Sequence, residues 1–206
     1  MQMDNIKVKN LQNVSLEDHY KTGQHSLADD FYRPVLANTV KYDRLSGYFR
    51  TSVSSLMREE YIDLAKQGGK IRIICSHKLD NADITEIQTG YELKEKISEL
   101  FHHSIEQTLE EPWGEEAVGI FAALIAHNCL EVKISVLREG DGFVHDKIGL
   151  FYDELGNTVS YIGSINETTA GWNINHESFS VFQSWDNGNK WIHAHASQFE
   201  NTWENI

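Results

Sequence analysis

Residues 144–177 read VHDKIGLFYDELGNTVSYIGSINETTAGWNINHE, and this stretch combines a strand pattern with a set of reactive side chains. Its first part, Val144 to Tyr152, is mostly apolar, which predicts a buried β-strand. His145 and Lys147 lie two positions apart on that strand, so their side chains are expected to share a face. An imidazole can attack phosphorus or move a proton, and an ammonium group can hold charged oxygens. The pair therefore predicts phosphoryl chemistry.

A hydroxyl and an amide follow at the end of the next predicted strand, Val159–Ile162. The segment Gly163-Ser164-x-Asn166 ends that strand, and a Gly-Asn turn at 156–157 predicts an antiparallel hairpin with the strand before it. Ser164 and Asn166 are therefore expected to reach the same pocket as His145. Glu177 opens a further predicted strand and is the candidate carboxylate of this site.

Each of these residues also has an ordinary structural interpretation. His145 and Lys147 can belong to a solvated strand face, Ser164 can close a turn, and Asn166 can cap the next helix. Glu177 can be a surface carboxylate. Their occurrence together in one short stretch favours a shared site over these separate roles.

Two other motifs lack such support. A second H-x-K, His19-Tyr20-Lys21, has no matching segment after it and is predicted to be an ordinary surface pair. Ser164 near a histidine could indicate a serine hydrolase, but the G-x-S-x-G turn of that class is absent from the sequence.

The remaining histidines and the cysteines do not indicate a metal site. His193 and His195 lie two apart on a predicted helix and so face different directions, which predicts a solvated helix, as for His102-His103. The Cys and His residues do not have zinc-ligand spacing. The two cysteines are expected to be buried, reduced thiols. The sequence predicts neither a metal nor another cofactor.

The rest of the chain alternates helices and strands in its first half and adds hairpins in its second. Lys70–Ser76 is a near-continuous apolar run after a helix, which favours a βαβ unit with parallel pairing. Predicted helices cover Ser26–Thr39, Val53–Gln67, Ile84–Leu109, Ala117–Asn128 and Lys190–Trp203, and further strands cover Asp43–Arg50, Glu131–Leu137 and Glu177–Gln183. This order predicts an α/β fold, a mixed β-sheet sandwiched between helices, in a single domain over residues 1–206.

Composition and charge exclude several classes of protein. Of 206 residues, 40% are hydrophobic and 24% charged, as in ordinary globular proteins. Apolar runs fall short of the roughly 20 residues of a membrane span, and Met1–Asn10 lacks the apolar core of a signal peptide, so a cytoplasmic protein without membrane contact is expected. The net charge of −13 disfavours a protein that coats nucleic acid but allows one locally positive cleft.

These motifs together resemble the phospholipase D superfamily, whose signature is H-x-K followed by G-S-x-N. The chain is most similar to the single-motif nuclease branch, in which a Glu on the strand after G-S-x-N takes the role of the downstream Asp. More narrowly, SGYF at 46–49, FVHDKIGLFYD at 143–153 and GSINET at 163–168 resemble phospholipase D-like domains found with superfamily 2 helicases and bacterial restriction or phage-defence systems. The order of elements is similar from about Leu36 to Trp203, and the residue-specific part is 143–185.

The resemblance implies an endonuclease that hydrolyses phosphodiesters of nucleic acid without a metal ion. One His145 would attack phosphorus to form a phosphohistidine, and a second histidine would protonate the leaving oxygen and then activate water. Lys147, Asn166 and Ser164 would hold the charged phosphoryl oxygens. Glu177 would accept a hydrogen bond from the imidazole and fix its tautomer.

The resemblance also implies partners. The scheme uses two histidines, whereas the chain has one supported H-x-K, so a C₂ homodimer with a shared active site is expected. Nucleic acid is the expected substrate, with DNA favoured over RNA. A helicase or another defence-system subunit is expected to deliver it.

One position departs from the superfamily signature. An Asp is expected five positions after Lys147, but Tyr152 stands there. Asp153 follows, and adjacent residues of a strand face opposite ways. The departure leaves open a non-catalytic assembly or binding module with the same fold. A lipid phosphodiesterase is disfavoured, because the sequence has no basic amphipathic helix or signal peptide.

Overall fold

In the computed structural model, one seven-stranded mixed sheet carries helices on both faces, as the sequence predicts. The structure describes residues 8–76, 79–99, 119–135, 145–166, 168, 175–186 and 188–206. The strands are β1 His19–Lys21, β2 Lys41–Ser46, β3 Lys70–Ser76, β4 Leu130–Ser135, β5 Ile148–Tyr152, β6 Thr158–Gly163 and β7 Ser178–Gln183. The α-helices are α1 Arg33–Leu36, α2 Arg58–Lys66, α3 Asn81–Glu99, α4 Ile120–Ala126 and α5 Asn189–Glu204, with a π-helical segment at Leu27–Tyr32 and 3₁₀ segments at Leu11–Asn13 and Thr51–Met57.

The strand order β1-β7-β6-β5-β2-β3-β4 divides the sheet into two halves. β2, β3 and β4 are parallel, because each is joined to the next through helices. β5, β6 and β7 are antiparallel neighbours, and β1 adds to the outer edge of β7. β5 joins the halves by pairing antiparallel with β2. The predicted βαβ unit and the predicted hairpin at Gly156-Asn157 are both present.

Strand alternation divides the interior into a large and a small core. Tyr42 of β2, Phe151 of β5 and Tyr161 of β6 point to the face covered by α1 to α4, where Tyr42 and Phe151 stack with ring centroids 4.4 Å apart. Leu45 and Leu150 point to the opposite face and pack beneath α5. The side of the sheet that a residue faces therefore decides whether it lies near α5.

An ion-pair network fastens α5 to the middle of the sheet. Arg72 of β3 makes two 2.7 Å hydrogen bonds to the buried Asp43 carboxylate of β2 and also pairs with Glu200 of α5. Its guanidinium stands 4.8 Å from the Phe199 ring centroid. A buried carboxylate needs such a bidentate partner, so the network fixes where α5 crosses the strands.

Some predicted boundaries were wrong. The strand predicted for Val144–Tyr152 begins at Ile148, and the one predicted for Asp43–Arg50 is Lys41–Ser46. The helix predicted for Ser26–Thr39 is a π-helical segment followed by the short α1. The prediction of Lys70–Ser76 is confirmed at both ends. Residues 100–109 of the predicted helix Ile84–Leu109 lie outside the described residues.

Candidate active site

An open cleft of ≈ 300 Å³ lies where β5 begins and β6 ends. It is lined by His145, Asp146, Lys147, Ile162, Gly163, Ser164 and Asn166. The structure thus brings together four of the five predicted site residues from two separate parts of the chain. The sequence predicted that His145 and Lys147 lie on the strand itself. The structure places them immediately before β5 instead. The Gly163 amide still donates to the Lys147 carbonyl at 3.3 Å, which continues the β5–β6 pairing by one residue.

Lys147 is a buried cation at the base of the cleft. Its side chain is 6% exposed, and Nζ donates a 2.5 Å hydrogen bond to the carbonyl oxygen of His145. Burial lowers the pKa of Lys147, and the nearby Arg44 charge lowers it further, while Glu177 and Asp146 act in the opposite direction. The lysine therefore holds the main chain of the histidine and places positive charge beside it.

Ser164 and Glu177 form a second part of the site. The Ser164 hydroxyl donates a hydrogen bond to Oε2 of Glu177, and Asn175 Nδ2 donates to Oε1 at 3.3 Å. Glu177 is 8% exposed, so it is not the surface carboxylate of the ordinary interpretation. Ser164 also accepts from the Ser178 amide at 3.1 Å, which joins the end of β6 to the start of β7.

The main chain of Glu177 is held by Thr22, just after β1. The Glu177 amide donates to Thr22 Oγ1 at 2.8 Å, and the Thr22 amide donates to the Glu177 carbonyl at 3.0 Å. These two bonds hold the main chain of Glu177 against the residue that follows β1, and so limit where its carboxylate can lie. The predicted hydrogen bond between Glu177 and the His145 imidazole stays a prediction.

Asn166 connects the cleft to the loop after β2. Its Oδ1 accepts a 3.0 Å hydrogen bond from the Tyr48 amide, which fixes the orientation of the side-chain amide and makes Nδ2 its donor end. Ser76, at the end of β3, donates a 2.5 Å hydrogen bond to the carbonyl of Gly47 in the same loop. The loop is therefore held on two sides.

Gly47 lets that loop approach His145 and Lys147 closely. A Cβ at this position would lie 3.1 Å from Lys147 Nζ and 3.3 Å from both Cα and Cδ2 of His145, which is tighter than usual for side-chain contacts. In the sequence, S-G-Y-F at 46–49 stood out only because it resembles the same stretch of phospholipase D-like domains. The glycine is a positioning residue that sequence reasoning did not identify.

Arg44 of β2 is a second buried cation near the cleft. Its Nη2 donates a 2.5 Å hydrogen bond to the Ile165 carbonyl within the G-S-x-N segment, and its guanidinium lies 5.1 Å from the Tyr161 ring centroid. Gly149 of β5 leaves the room for this ring, because a Cβ there would collide with Tyr161. Arg44 was also missed in the sequence, where a charged residue inside a strand had no evident partner.

Tyr152, which stands where the signature has an Asp, and the adjacent Asp153 both lie away from the cleft. Tyr152 points to the face of α5, where Lys41 Nζ stands 4.7 Å from its ring centroid, and burial raises its pKa. Asp153 is buried at the end of the hairpin and accepts from the amides of Leu11 at 2.8 Å and Asn157 at 2.8 Å. Asp153 therefore stabilises the hairpin and the segment before β1, and it does not replace the signature Asp.

The histidine pair on α5 was predicted wrongly in part. His193 is exposed, but His195 is 5% exposed, and its Nδ1 lies 2.9 Å from Ser160 Oγ. Burial lowers the pKa of His195. His102-His103 lies outside the described residues.

The described ranges bear on metal binding and on membrane insertion. Within them, His, Cys, Asp and Glu side chains form no cluster of three or more that could hold a metal ion. Helices in the same ranges include none long and apolar enough to cross a membrane. Cys75 and Cys129 are buried free thiols, and burial raises the pKa of Cys75 to about 12.

Comparison with known proteins gives the family. The family model "Cardiolipin synthase, PLD-like domain" matches residues 34–203, while no curated protein matches the sequence. NucT from Helicobacter pylori has a similar structure, with a TM-score of 0.52 at 13% identity over 90% of this chain and 94% of NucT. Nuc from Salmonella typhimurium, described as a phospholipase D family member, has a TM-score of 0.50 at 13% identity over 90% and 92% of the two chains. Because the family match spans most of its length, the chain belongs to the PLD-like domain family of the phospholipase D superfamily.

Proposed function

We propose that this protein is a metal-independent phosphodiesterase that cleaves nucleic acid through a phosphohistidine intermediate. The observation that carries the proposal is the grouping of His145, Lys147, Ser164 and Asn166 around one cleft, with Glu177 hydrogen-bonded to Ser164. A nucleophile, a buried cation, neutral donors and a fixed carboxylate are the groups that phosphoryl transfer requires.

The reaction has two balanced steps. A ring nitrogen of His145 attacks phosphorus, the bond to the leaving oxygen breaks, and a second histidine supplies the proton to that oxygen. The same histidine then takes a proton from water, whose oxygen attacks phosphorus and releases His145. Lys147 and the Asn166 amide stabilise the charge on the phosphoryl oxygens in both steps. Ser164 joins them when its hydroxyl turns from Glu177 to the substrate, because it has one proton to donate.

The second histidine is proposed to be His145 of a second copy. A C₂ dimer with its axis through the cleft would supply both histidines and both lysines from one H-x-K per chain. The open form of the cleft is compatible with completion by another chain. A helicase or another defence-system subunit is proposed to deliver the substrate, since a chain with a net charge of −13 attracts nucleic acid poorly by itself.

The alternative of a non-catalytic module rested on Tyr152. The contacts of Tyr152 and Asp153 lie outside the cleft, so this departure removes no group from the proposed reaction.

One assay with a matched variant tests the proposal. Purified protein in EDTA is incubated with plasmid, single-stranded DNA, RNA and phosphatidylcholine vesicles, in parallel with His145→Ala. We expect cleavage of at least one nucleic acid by the native protein and none by the variant, with the dimer intact in both. Strict dependence on a divalent ion, cleavage by the variant, or hydrolysis of the lipid alone would overturn it.

A further inference from the structure

A surface beside the cleft carries the second H-x-K of the sequence. His19 and Lys21 of β1 are exposed, while Tyr20 between them is buried in the core. In the β1–β7 register, His19 lies opposite Ser180 and Lys21 lies opposite Ser178. Directly opposed residues share a face of the sheet, so this H-x-K stands beside the two serines on the α5 side.

This surface is continuous with the cleft. Ser178 donates its amide to the hydroxyl of Ser164, which lines the cleft, and Ser180 lies opposite Ile162, which also lines it. Only β7 therefore separates the cleft from Lys21. A polymer whose phosphodiester lies in the cleft can extend across β7 towards β1.

An aromatic groove of ≈ 430 Å³ begins at the same place. Its lining residues are Asp18, Ser180, Val181, Phe182, Gln183, Asp186, Gly188 and Trp191. Trp191 is 48% exposed, and its ring centroid lies 5.7 Å from that of Phe182 with the planes inclined by 36°. Ser180 lines the groove and faces Ile162 of the cleft, so the two cavities adjoin.

The charged residues favour a base inside the groove and a phosphate beside Lys21. Asp18 and Asp186 repel a phosphate but can accept hydrogen bonds from the exocyclic amino groups of bases. Trp191 offers a stacking surface to a base, which would displace the exposed Lys190 side chain whose Nζ lies 5.1 Å from the ring centroid. Lys21 offers positive charge, and His19 can donate a hydrogen bond, to a phosphate on the other side of Ser180.

We propose that this surface holds the nucleotide next to the scissile phosphodiester, with its base against Trp191 in the groove and its phosphate on Lys21. This inference rests on the proposed function and specifies its substrate as an unpaired strand, because a base inside a duplex cannot stack on a protein side chain. A basic side chain of a protein partner would also be attracted by Asp18 and Asp186 of the groove. The continuity of the groove with the cleft favours the nucleotide.

A pair of oligonucleotides tests the position of the base. Both are short, single-stranded and of equal length, and one carries abasic sugars throughout. We expect the native protein to cleave the base-bearing strand with a kcat/KM roughly 5- to 100-fold above that for the abasic strand, which is the contribution of one stacked base. Trp191→Ala is expected to bring this ratio close to one, and Trp191→Phe to restore much of it.

Leu155→Ala is the matched control, because Leu155 is a 59%-exposed apolar residue on the distant hairpin turn. The control is expected to keep the ratio of the native protein. If the native protein cleaves both strands equally, or if Trp191→Ala keeps the full ratio, the inference is wrong while the proposed function stands. If it cleaves neither strand but cleaves plasmid, the inference is wrong while the proposed function stands. If it cleaves none of these nucleic acids, both fail.

Salt dependence tests Lys21. The native protein is expected to lose affinity for the base-bearing strand with a slope of log K on log salt of roughly −2 to −4, since few phosphates are neutralised. Lys21→Gln is expected to reduce the magnitude of that slope by about one. Lys70→Gln is the control, because Lys70 is exposed at the opposite end of the parallel strands. Equal slopes for the native protein and Lys21→Gln would remove Lys21 from the phosphate path.

Discussion

The hydroxyl of Ser164 donates a hydrogen bond to the carboxylate of Glu177, and this bond joins the loop after β6 to the residue before β7. The donor and the acceptor come from two segments that the proposed reaction brings side by side. Because Asn175 donates to the other oxygen, the carboxylate is held at both of its atoms. A carboxylate fixed in this way can orient a neighbouring imidazole without moving itself.

Replacing Glu177 tests that role. Glu177→Gln keeps the size of the side chain but removes the negative charge that would stabilise a protonated His145. We expect a loss of roughly 10²- to 10⁴-fold in kcat, by analogy with amidation of the orienting carboxylate in a serine protease. Steady-state kinetics on one oligonucleotide, with the dimer content checked, measures the loss. A variant within a few-fold of native kcat would exclude Glu177 from orienting the histidine.

Asp153 is expected to behave in the opposite way. It accepts hydrogen bonds from main-chain amides around the hairpin, so Asp153→Asn places an NH₂ group against donors. We expect a loss of about 1–3 kcal/mol in the free energy of unfolding. The kcat of the folded variant should fall by less than about tenfold. Urea denaturation and kinetics on the same preparation separate the two effects. A stable but inactive variant would show that Asp153, and not Glu177, serves the site.

A methyl group at Gly47 is expected to impair catalysis more than stability. It would press on Lys147 Nζ and His145, and shifts of a few tenths of an ångström in such groups are costly. We expect Gly47→Ala to lower kcat roughly tenfold or more with a nearly unchanged melting temperature. The matched variant is Gly156→Ala in the hairpin turn, where φ is +83° and nothing lies within 4 Å of a Cβ. That variant should lose stability and keep its kcat. The reverse pattern would contradict the assignment.

Buried His195 makes stability depend on pH. Burial lowers its pKa in the folded protein below the usual value near 6.5, so the unfolded chain binds more protons in acid. Its contribution to stability is complete above about pH 6.5 and decreases as the pH falls towards the folded pKa. Urea midpoints measured between pH 8 and pH 5 should decrease more steeply for the native protein than for His195→Gln. Parallel curves for the two proteins would show that His195 titrates normally.

The proposed shared active site predicts a specific result for mixed dimers. If one cleavage event uses His145 from both chains, a dimer of one native and one His145→Ala chain is inactive. When equal amounts of native and His145→Ala chains have exchanged subunits completely, about a quarter of the dimers contain two native chains. Activity should then be about a quarter of that of purely native protein at the same total concentration. Independent sites would give about a half. Sedimentation at the assay concentration shows whether dimers are present at all.

Much of the fold could be predicted because local pattern and final contacts agree. The apolar run Lys70–Ser76 follows two glycines, and the structure begins and ends β3 at those same residues. The start of β5 could not be predicted in this way. The apolar pattern extends back to Val144, but a strand needs a partner, and β6 ends at Gly163, opposite Lys147.

Site residues that belong to one sequence motif could be predicted. Those that come together only because their strands are neighbours in the sheet were missed. The motifs placed His145, Lys147, Ser164 and Asn166 together, and all four line the cleft. Arg44 was missed because it lies opposite Gly149 of β5, which is next to it in the sheet but far from it in the chain.

His195 was missed although the sequence held a usable signal. Ile192, His195 and Phe199 are the buried positions of α5, and their spacing is that of one helical face. The H-x-H spacing of His193 and His195 indicates two different helix faces, and only the face of His195 is the buried one.

The pairing of β1 with β7 also bears on how the protein is made. Thr22 and the residue it anchors, Glu177, are 155 positions apart, so the anchor is synthesised long before the carboxylate. A growing chain can already contain His145 and Lys147 while β7 is still missing, and the bond between Ser164 and Glu177 does not yet exist. For the proposed nuclease, this order would leave the unfinished chain without its fixed carboxylate while it is still beside the messenger RNA and the ribosome.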